Sequence, residues 1–433
     1  MLITIKFRFL MIRKLLKKKS FVNSLIYVGT DVLNKAIPFL LLPILTTYLT
    51  TSDYGIVTVF TAFTTLLTVF VGLSAQNAIY VNYFKYSKIR MQIYITNILL
   101  LIISSTLIVS LLLLLCYEAV SLWLEIPSLW LFLGIMYVFF QTISSILTIL
   151  WMLEGKAIAL GIYQIANTVS IFSLAILFIV GFKLTWVGQL LAMLIVSSIF
   201  SMVSVIILKQ KNYFKFILSK KSLRDAIDFG VPLIPHKLGE WLKISADKFL
   251  LVALVGSSAT GLYAVGYQIT SIVMIVSVAI QKAWQPYLFK QLTNISSIYD
   301  KLRLVKLTYG IFLLIGIFSI FIYFSAPYII DYFLDEKFHD AERFIGYLVI
   351  SNFFASVNHA IIGYVYYTKK TVVLMKITLM TALLHIVVSY ILILSNGSIG
   401  AAQASSISFF ITFLMLGYKV NRLYDMPWLL RKA

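Results

Sequence analysis

Charged residues are scarce in this chain of 433 residues, where they occupy 12% of the positions. Acidic residues are the scarcer sign, because 16 Asp and Glu stand against 36 Lys and Arg. A soluble domain carries roughly a quarter charged residues, so this chain has too few to cover a surface that faces water. Hydrophobic residues make up 61% of the sequence, and its 32 Phe and 26 Tyr suit lipid contact and aromatic belts. The composition predicts an all-α integral membrane protein.

Further absences narrow the range of functions. Cys116 is the one cysteine, which excludes an internal disulfide and favours a packing role for its thiol. The sequence has no metal-binding cluster, nucleotide-binding loop or nucleophile-elbow motif, so we predict no cofactor and no enzymatic activity. Met1–Ser20 carries seven Lys and Arg but no small-residue cleavage site, which predicts a retained basic leader rather than a signal peptide.

Long apolar runs define the predicted fold. A helix that crosses the bilayer core needs about 20 predominantly apolar residues. About twelve such helices are predicted, at 22–48, 54–76, 93–116, 129–153, 157–181, 186–208, 230–255, 260–283, 306–330, 344–367, 371–394 and 399–420. Turn signals such as Glu154-Gly155-Lys156 separate them. The run at 230–255 is the least hydrophobic, since it contains five charged residues and two prolines.

The distribution of basic residues predicts the orientation. Short cytoplasmic loops carry an excess of Lys and Arg. With twelve helices and both termini in the cytoplasm, the cytoplasmic segments hold 28 Lys and Arg, and the outside loops hold three: Lys183, Lys337 and Arg343. The net charge of +20 also suits a surface that rests on anionic membrane lipid. Because the basic residues are spread over seven separate segments, we predict no binding of nucleic acid.

A long basic linker divides the predicted helices into two halves. The predicted division is a leader at 1–21, a six-helix bundle at 22–208, a linker at 209–229, a second six-helix bundle at 230–420 and a tail at 421–433. Leu49–Val57 aligns with Val255–Tyr263 without a gap, and each segment lies in the first hairpin of its half. Halves related by pseudo-twofold symmetry about the membrane normal are a transporter architecture, with the substrate site between them.

Eight charged residues lie away from the ends of the predicted membrane-spanning helices. They are Asp31, Lys35, Lys237, Glu240, Lys243, Asp247, Lys248 and Lys376. Each charge near the bilayer centre costs about 2.5–3.5 kcal/mol on insertion scales, so most must face a protein interior or a wet cavity. Lys376 lies about one turn from the cytoplasmic end of its helix and can extend to the headgroups. The other seven lie in the first helix of each half, beside proline pairs.

Two interpretations of these charges remain open. In the first, neighbouring acids and lysines neutralise one another within each helix, since Asp31 and Lys35 are four residues apart. His236, Glu240, Lys243 and Asp247 likewise follow a 4-3-4 spacing and form one stripe. In the second, the four lysines exceed the three acids and form a cationic cavity. Substrate-binding roles are then predicted for Lys35, Lys237, Lys243 and Lys248, and ion-coupling roles for Asp31, His236, Glu240 and Asp247.

Several motifs resemble one transporter family. Asn34–Pro43, followed by Asp53-Tyr54-Gly55, looks like the opening hairpin of Wzx-type polysaccharide flippases. Asp228–Pro235, leading to Asp247-Lys248-Phe249, resembles the seventh helix of that family. These flippases belong to the multidrug/oligosaccharidyl-lipid/polysaccharide exporter superfamily. Lys248 stands where the family often has arginine, which puts bidentate phosphate binding at this position in doubt.

The resemblance implies a substrate that the composition does not reveal. This is an undecaprenyl-diphosphate-linked oligosaccharide, moved across the bacterial inner membrane for assembly of O-antigen, capsule or exopolysaccharide. The resemblance also implies alternating access between the halves, and it makes polysaccharide polymerase and chain-length proteins possible partners.

Two other functions are weighed against the flippase. A cation-coupled multidrug antiporter of the same superfamily would favour acids over lysines in its cavity, which is the opposite of the balance here. A membrane polysaccharide polymerase generally carries a large periplasmic loop with catalytic arginines. The predicted outside loops are short, and Arg343 is the one arginine in them.

Overall fold

Helices account for all the regular structure in the computed structural model, which describes residues 19–368, 370–424 and 426–428. Within these ranges no β-strand is present, as the predicted all-α class requires. The predicted leader up to residue 18, Lys369, and residues 425 and 429–433 of the predicted tail lie outside the described residues.

Seventeen α-helices can be numbered in the described part of the chain. As far as the linker they are α1 (Lys19–Leu40), α2 (Leu42–Tyr48), α3 (Thr51–Phe70), α4 (Ala78–Asn82), α5 (Lys88–Leu114), α6 (Tyr117–Leu124), α7 (Ser128–Leu153), α8 (Ala157–Ile176) and α9 (Thr185–Gln210). The linker contains α10 (Lys220–Gly230). The remainder are α11 (Ile234–Leu254), α12 (Ser257–Thr270), α13 (Ile272–Thr293), α14 (Ile298–Phe333), α15 (Glu342–Tyr367), α16 (Thr371–Asn396) and α17 (Ile399–Leu423).

Ten helical stretches of the described residues are long and apolar enough to cross a membrane. The predicted first and seventh spans are helical, as α1–α2 and α11, but neither is among these ten. Five charged residues give α11 its polar character. The twelve-helix count therefore depends on whether these two polar helices also cross the bilayer, and it stays a prediction.

Prolines interrupt the chain near both polar helices. The helix containing Pro38 ends at Leu40, and α2 resumes at Leu42 with Pro43 as its second residue. Val231-Pro232-Leu233 forms one 3₁₀ turn between α10 and α11. Proline lacks the amide proton that continues a helix, and its ring disfavours helical backbone in the residue before it. The proline pairs in the sequence thus coincide with the break between α1 and α2 and with the turn before α11.

The described chain forms two compact units whose boundaries differ from the predicted halves. The first unit holds the described residues as far as Leu41, together with Leu67–Cys116 and Phe132–Ile234. The second holds Leu42–Leu66, Tyr117–Leu131 and the described residues from Pro235 onward. Two segments of the predicted first half thus pack with the predicted second half, so the proposed domain division stays a prediction.

In the second unit, α3 and α12 cross at a pair of glycines. A Cβ atom at Gly55 would lie 1.9 Å from the Ser257 carbonyl oxygen, and one at Gly261 would lie 1.9 Å from the Thr51 carbonyl oxygen. No side chain fits at these distances, so only glycine allows the two backbones to approach this closely. Gly55 and Gly261 occupy equivalent positions in the internal sequence alignment.

Hydroxyl groups flank the glycine crossing in the same reciprocal pattern. The side-chain oxygens of Thr51 and Ser258 lie 2.7 Å apart, and those of Ser52 and Ser257 lie 2.6 Å apart. In the sequence alignment Thr51 corresponds to Ser257 and Ser52 to Ser258, so each hydrogen bond is the equivalent of the other. The two aligned segments therefore contact each other through matching residues.

In the first unit, an irregular turn follows α3 and ends the predicted span at 54–76. Gly72, Leu73 and Ser74 all have positive φ angles, of 76°, 49° and 59°. The Ser105 hydroxyl accepts a hydrogen bond of 2.8 Å from the Gly72 amide and fixes the turn. At the end of α10, a Cβ atom on Gly230 would lie 2.1 Å from the Leu73 carbonyl oxygen. The turn thus gives the linker helix a place to pack.

The start of the linker is held by Glu154, which lies in the turn before α8. Its carboxylate forms an ion pair with Lys156, accepts a hydrogen bond from the Tyr213 hydroxyl and lies 3.8 Å from the Lys211 ammonium. Burial alone would raise the pKa of Glu154, but these donors outweigh it and hold the pKa below its usual range. The linker is therefore attached electrostatically to the end of α7.

The glycine crossing leads to a stability prediction. We expect Gly55→Ala to lower the stability of the protein by about 1–3 kcal/mol, because the added methyl group overlaps the Ser257 carbonyl. Gly310→Ala is the matched control, since a Cβ placed there on α14 has no atom within 4 Å apart from its chain neighbours and the backbone of its own helix. Thermal unfolding in detergent measures both variants. Equal melting temperatures for the two would contradict the close approach.

Candidate functional site

The candidate site is the charged helix α11 and the helices that contact it in the second unit. Lys243 lies near the middle of this 21-residue helix and is half-buried. Its ammonium donates a hydrogen bond of 2.7 Å to the Thr412 hydroxyl of α17 and lies 4.8 Å from the centre of the Phe409 ring. Both partners are neutral. Among the described residues, the ion pairs do not include Lys243, so intrahelical pairing does not account for this charge.

Asp247 lies one turn further along α11 and is 3% exposed. Its carboxylate accepts hydrogen bonds from the Tyr263 hydroxyl of α12 and, at 2.9 Å, from the backbone amide of Lys248. The Tyr263 hydroxyl also lies 3.4 Å from the Ser405 hydroxyl of α17. A buried carboxylate needs such donors, because an isolated charge in a low-dielectric interior is strongly disfavoured. Asp247 therefore joins α11, α12 and α17.

Lys248 is the most deeply buried of the predicted binding lysines, with 9% of its surface exposed. Its ammonium donates a hydrogen bond of 2.8 Å to the Ile244 carbonyl oxygen on its own helix. It also lies 4.7 Å from the centre of the Tyr267 ring, which is a favourable cation–π geometry. Lys248 thus has partners within the protein. These contacts suit a role in stabilising the fold, beside the substrate-binding role that the sequence predicts.

The remaining predicted site residues fall into two places. His236 and Glu240 form an exposed pair one turn apart at the start of α11, with 3.5 Å between Nε2 and Oε1. Lys237 follows His236 and is half-buried. Lys35, which is exposed, and Asp31, which is half-buried, lie on α1 in the first unit. The structure thus groups six predicted residues on one helix, and the roles assigned to all eight stay predictions.

Sequence reasoning missed the neutral polar residues that line the charged helix. Thr381, His385 and Ser389 lie four residues apart on α16 and are fully buried, and Ser405, Ser408 and Thr412 follow a 3-4 spacing on α17. His385 Nδ1 lies 3.0 Å from the Ser408 hydroxyl, so the two polar stripes face each other. Helical spacing of small polar residues was the available signal.

A large cavity in the second unit has a different chemistry from the predicted site. It has a volume of about 1110 Å³ and lies between α14 and α15, where most of its lining residues are apolar or aromatic. Glu342 and Arg343 are its charged residues. None of the eight predicted site residues lines this cavity. It is a groove between two neighbouring helices and does not contribute to the charged site.

Sequence comparison places the chain in a family. The family described as polysaccharide biosynthesis protein matches residues 18–292. The chain belongs to this family. A second family, MatE, matches residues 232–391 of the chain. The predicted family resemblance is therefore confirmed, and both matches include the charged helix α11.

Relatives and solved structures agree with the family. A Haemophilus influenzae protein of the Lsg locus is 24% identical over 376 residues, which cover 85% of this chain and 90% of that protein. A multidrug resistance MATE family transporter of the MOP superfamily, solved in an inward-facing conformation, has a TM-score of 0.69 at 15% identity, covering 91% of this chain and 95% of the other. The lipid II flippase MurJ, in an inward closed conformation, has a TM-score of 0.62 at 15% identity, covering 92% and 87%.

These structural similarities establish the fold. At 15% identity they carry no information about which residues bind a substrate. The protein is a multi-pass membrane protein with the helical fold that MATE transporters and MurJ share. The predicted localisation in a membrane is confirmed.

The hydrogen bond between Tyr263 and Asp247 gives a prediction about the site. We expect Tyr263→Phe to lower stability by about 1–3 kcal/mol, because it removes a donor from a buried carboxylate. Tyr390→Phe is the control, since Tyr390 is an exposed tyrosine of α16. Adding Asp247→Asn to Tyr263→Phe removes the unsatisfied charge and is expected to restore part of the lost stability. Melting curves are recorded for the purified unmodified protein, the two single variants and the double variant. An unchanged melting temperature in Tyr263→Phe would show that the hydrogen bond does not stabilise the site.

Proposed function

We propose that this protein moves undecaprenyl-diphosphate-linked oligosaccharide repeat units across the bacterial inner membrane. The observation that carries the proposal is the environment of Lys243. Its position in α11 places its Cα atom about 14 Å along the axis of a helix about 32 Å long. The described residues provide one hydrogen-bond acceptor and one aromatic ring for it. An ammonium has three donors, so two remain for the oxygens of an anionic ligand.

The charge balance of the predicted site supports a diphosphate over an organic cation. Lys35, Lys237 and Lys243 would supply positive charge to a diphosphate, and lysine binds phosphate as a point charge. Asp247 is already occupied by the Tyr263 hydroxyl and a backbone amide. It is therefore a poor ligand for an organic cation and a better candidate for coupling to a small ion, which the sequence also predicts. Membership of a polysaccharide biosynthesis family supports a sugar-bearing substrate.

Alternating access is the mechanism we propose for this movement. The crossing of α3 and α12 supports it, because the two helices meet through glycines and hydroxyl groups rather than interlocked apolar side chains. Such a contact can separate with little loss of buried apolar surface, since water can replace each hydroxyl partner. In the predicted orientation this crossing lies toward the periplasm. The two six-helix halves, related by pseudo-twofold symmetry, would open and close it in each cycle.

Export of lipid-linked repeat units tests the proposal. Deleting the gene is expected to make these units accumulate on the cytoplasmic face, and periplasmic units in the deletion strain would contradict the proposed flippase. Lys243→Ala and Lys35→Ala are each expected to reduce export roughly tenfold or more, because a lost charge-assisted contact is worth about 1.5–3 kcal/mol. Accessibility of the labelled oligosaccharide to a periplasmic enzyme measures export, with membrane protein levels measured in parallel.

Lys376→Ala is the matched control for both lysine variants. It removes the same charge from an exposed position on α16 and is expected to leave export unchanged. Full export by Lys243→Ala and Lys35→Ala would show that neither lysine acts in export. The MatE match to residues 232–391 favours a multidrug antiporter as the second candidate. Ethidium efflux, measured in the same strains, distinguishes the flippase from the antiporter. Proton-dependent efflux of ethidium together with normal sugar export would support the antiporter.

A disulfide across the crossing tests the mechanism. Ser52→Cys and Ser257→Cys, in a Cys116→Ser background, place two thiols where hydroxyl oxygens lie 2.6 Å apart. Oxidation is expected to stop export and reduction to restore it, because the crossing can no longer open. Asn396→Cys with Gln403→Cys is the control, since these side chains lie 2.7 Å apart across a local turn between α16 and α17. Normal export by the oxidised Ser52–Ser257 pair would rule out opening at this crossing.

A further inference from the structure

The linker before α10 exposes large apolar side chains among lysines. Phe216 is 84% exposed and Leu218 is 70% exposed, and they lie between Lys215 and Lys220. Apolar residues of this size are unfavourable on a surface that faces only water. Interleaved cations and large apolar residues are typical of segments that lie in the interface of an anionic membrane.

Contacts with α5 place this part of the linker beside a membrane-spanning helix. The Asn97 side chain donates a hydrogen bond of 2.8 Å to the Ile217 carbonyl oxygen and accepts one of 3.0 Å from the Ser219 amide. Asn97 lies nine residues after Lys88, the first residue of α5, which is about 14 Å along the helix axis. The linker thus runs alongside the candidate membrane span at Lys88–Leu114. Phe216 and Leu218 therefore lie beside a helix that is long and apolar enough to cross the membrane.

A cavity of about 320 Å³ lies where the linker meets α5. Its lining residues are Tyr86, Arg90, Ile93, Ile217, Leu218, Ser219, Lys221 and Ser222. The Arg90 guanidinium carbon lies 3.9 Å above the centre of the Tyr86 ring, which holds the side chain over an aromatic face. Arginine presents a planar set of donors that matches the oxygens of a phosphate. The cavity therefore combines two cations with a wall of apolar residues.

The nearby carboxylates have other partners. Asp225 accepts hydrogen bonds from Tyr94 at 2.8 Å and from Asn82 at 2.9 Å. Tyr86 lies 3.5 Å from the same carboxylate, and Asp228 pairs with Arg224 at 3.6 Å. Within the described part of the chain, no ion pair includes Arg90 or Lys221. Their charges are thus available to an anionic ligand.

We propose that this cavity binds the headgroup of an anionic phospholipid from the cytoplasmic leaflet. Arg90 and Lys221 contact its phosphate, and Phe216 and Leu218 lie against its acyl chains. The six Lys and Arg from Lys209 to Arg224 raise the local concentration of anionic lipid around the cavity. The bound lipid fixes the linker, which joins the two predicted halves. This site is separate from the charged residues of α11 and does not depend on the proposed substrate.

Lipid binding to the full-length protein in detergent tests the proposal. Native mass spectrometry measures binding of phosphatidylglycerol and of zwitterionic phosphatidylcholine. We expect phosphatidylglycerol to bind more tightly, and Arg90→Gln with Lys221→Gln to weaken it about 10-fold to 100-fold, because two charge-assisted contacts of exposed side chains are lost. Arg90→Lys with Lys221→Arg keeps both charges and is expected to retain most of the affinity. This conservative pair also supplies a folded variant if the neutral pair does not fold.

Matched variants distinguish lipid binding at this cavity from a general attraction of anionic lipid to the basic surface of the protein. Lys290→Gln with Lys306→Gln removes two exposed cations elsewhere and is expected to leave the affinity unchanged. An equal loss in this control pair would overturn the proposal in favour of general surface attraction. Phe216→Ser with Leu218→Ser is expected to weaken the lipid severalfold while the phosphate contacts remain. Equally tight binding of glycerol phosphate without acyl chains would identify a site for a soluble phosphate instead and overturn the lipid assignment.

Discussion

The charged side chains of α11 need partners from the protein, and much of the second unit is arranged to supply them. Asp247 receives its hydrogen bonds from Tyr263 and a backbone amide, and Lys248 donates to a carbonyl one turn away. Each contact replaces water that a buried position cannot provide. Removing one of these partners leaves an uncompensated charge, which is why the neutral residues matter as much as the charged ones.

Lys243 differs from its two neighbours because its partners leave it incompletely satisfied. Thr412 accepts one hydrogen bond, and Phe409 offers the face of a ring. A partly satisfied charge at a half-buried position is costly to retain, so a function for it is the ordinary expectation. Asp247 and Lys248 are structural as well as candidate functional residues, whereas Lys243 has spare capacity to bind a ligand.

Small residues permit the close contacts that position these helices. Gly55 and Gly261 let α3 and α12 cross, and Gly230 lets the linker helix pack on an irregular turn in the first unit. In a membrane, apolar side chains gain little by leaving lipid, so close backbone packing and hydrogen bonds carry more of the helix association. The linker adds a second kind of contact, in which Asn97 and Glu154 hold it by polar groups outside the charged site. The two regions are therefore stabilised by different residues.

The sequence alone determined the fold class, because 61% hydrophobic composition and long apolar runs admit few alternatives to membrane helices. It also identified the charged stripe on α11 and the proline interruptions, since both follow from local spacing along one helix. The family resemblance followed from the motifs around Pro38 and Asp247 in the same way.

The tertiary structure decided which residues the charged side chains of α11 contact. Spacing on one helix suggested that Lys243 pairs with Glu240 or Asp247, but Thr412 of α17 accepts its hydrogen bond. The tertiary structure also groups Leu42–Leu66 and Tyr117–Leu131 with the chain from Pro235 onward, which no hydropathy pattern indicates. The alignment of Gly55 with Gly261 was visible in the sequence, yet their contact was not. Local periodicity specifies which face a side chain occupies, whereas the residue opposite depends on how distant helices pack.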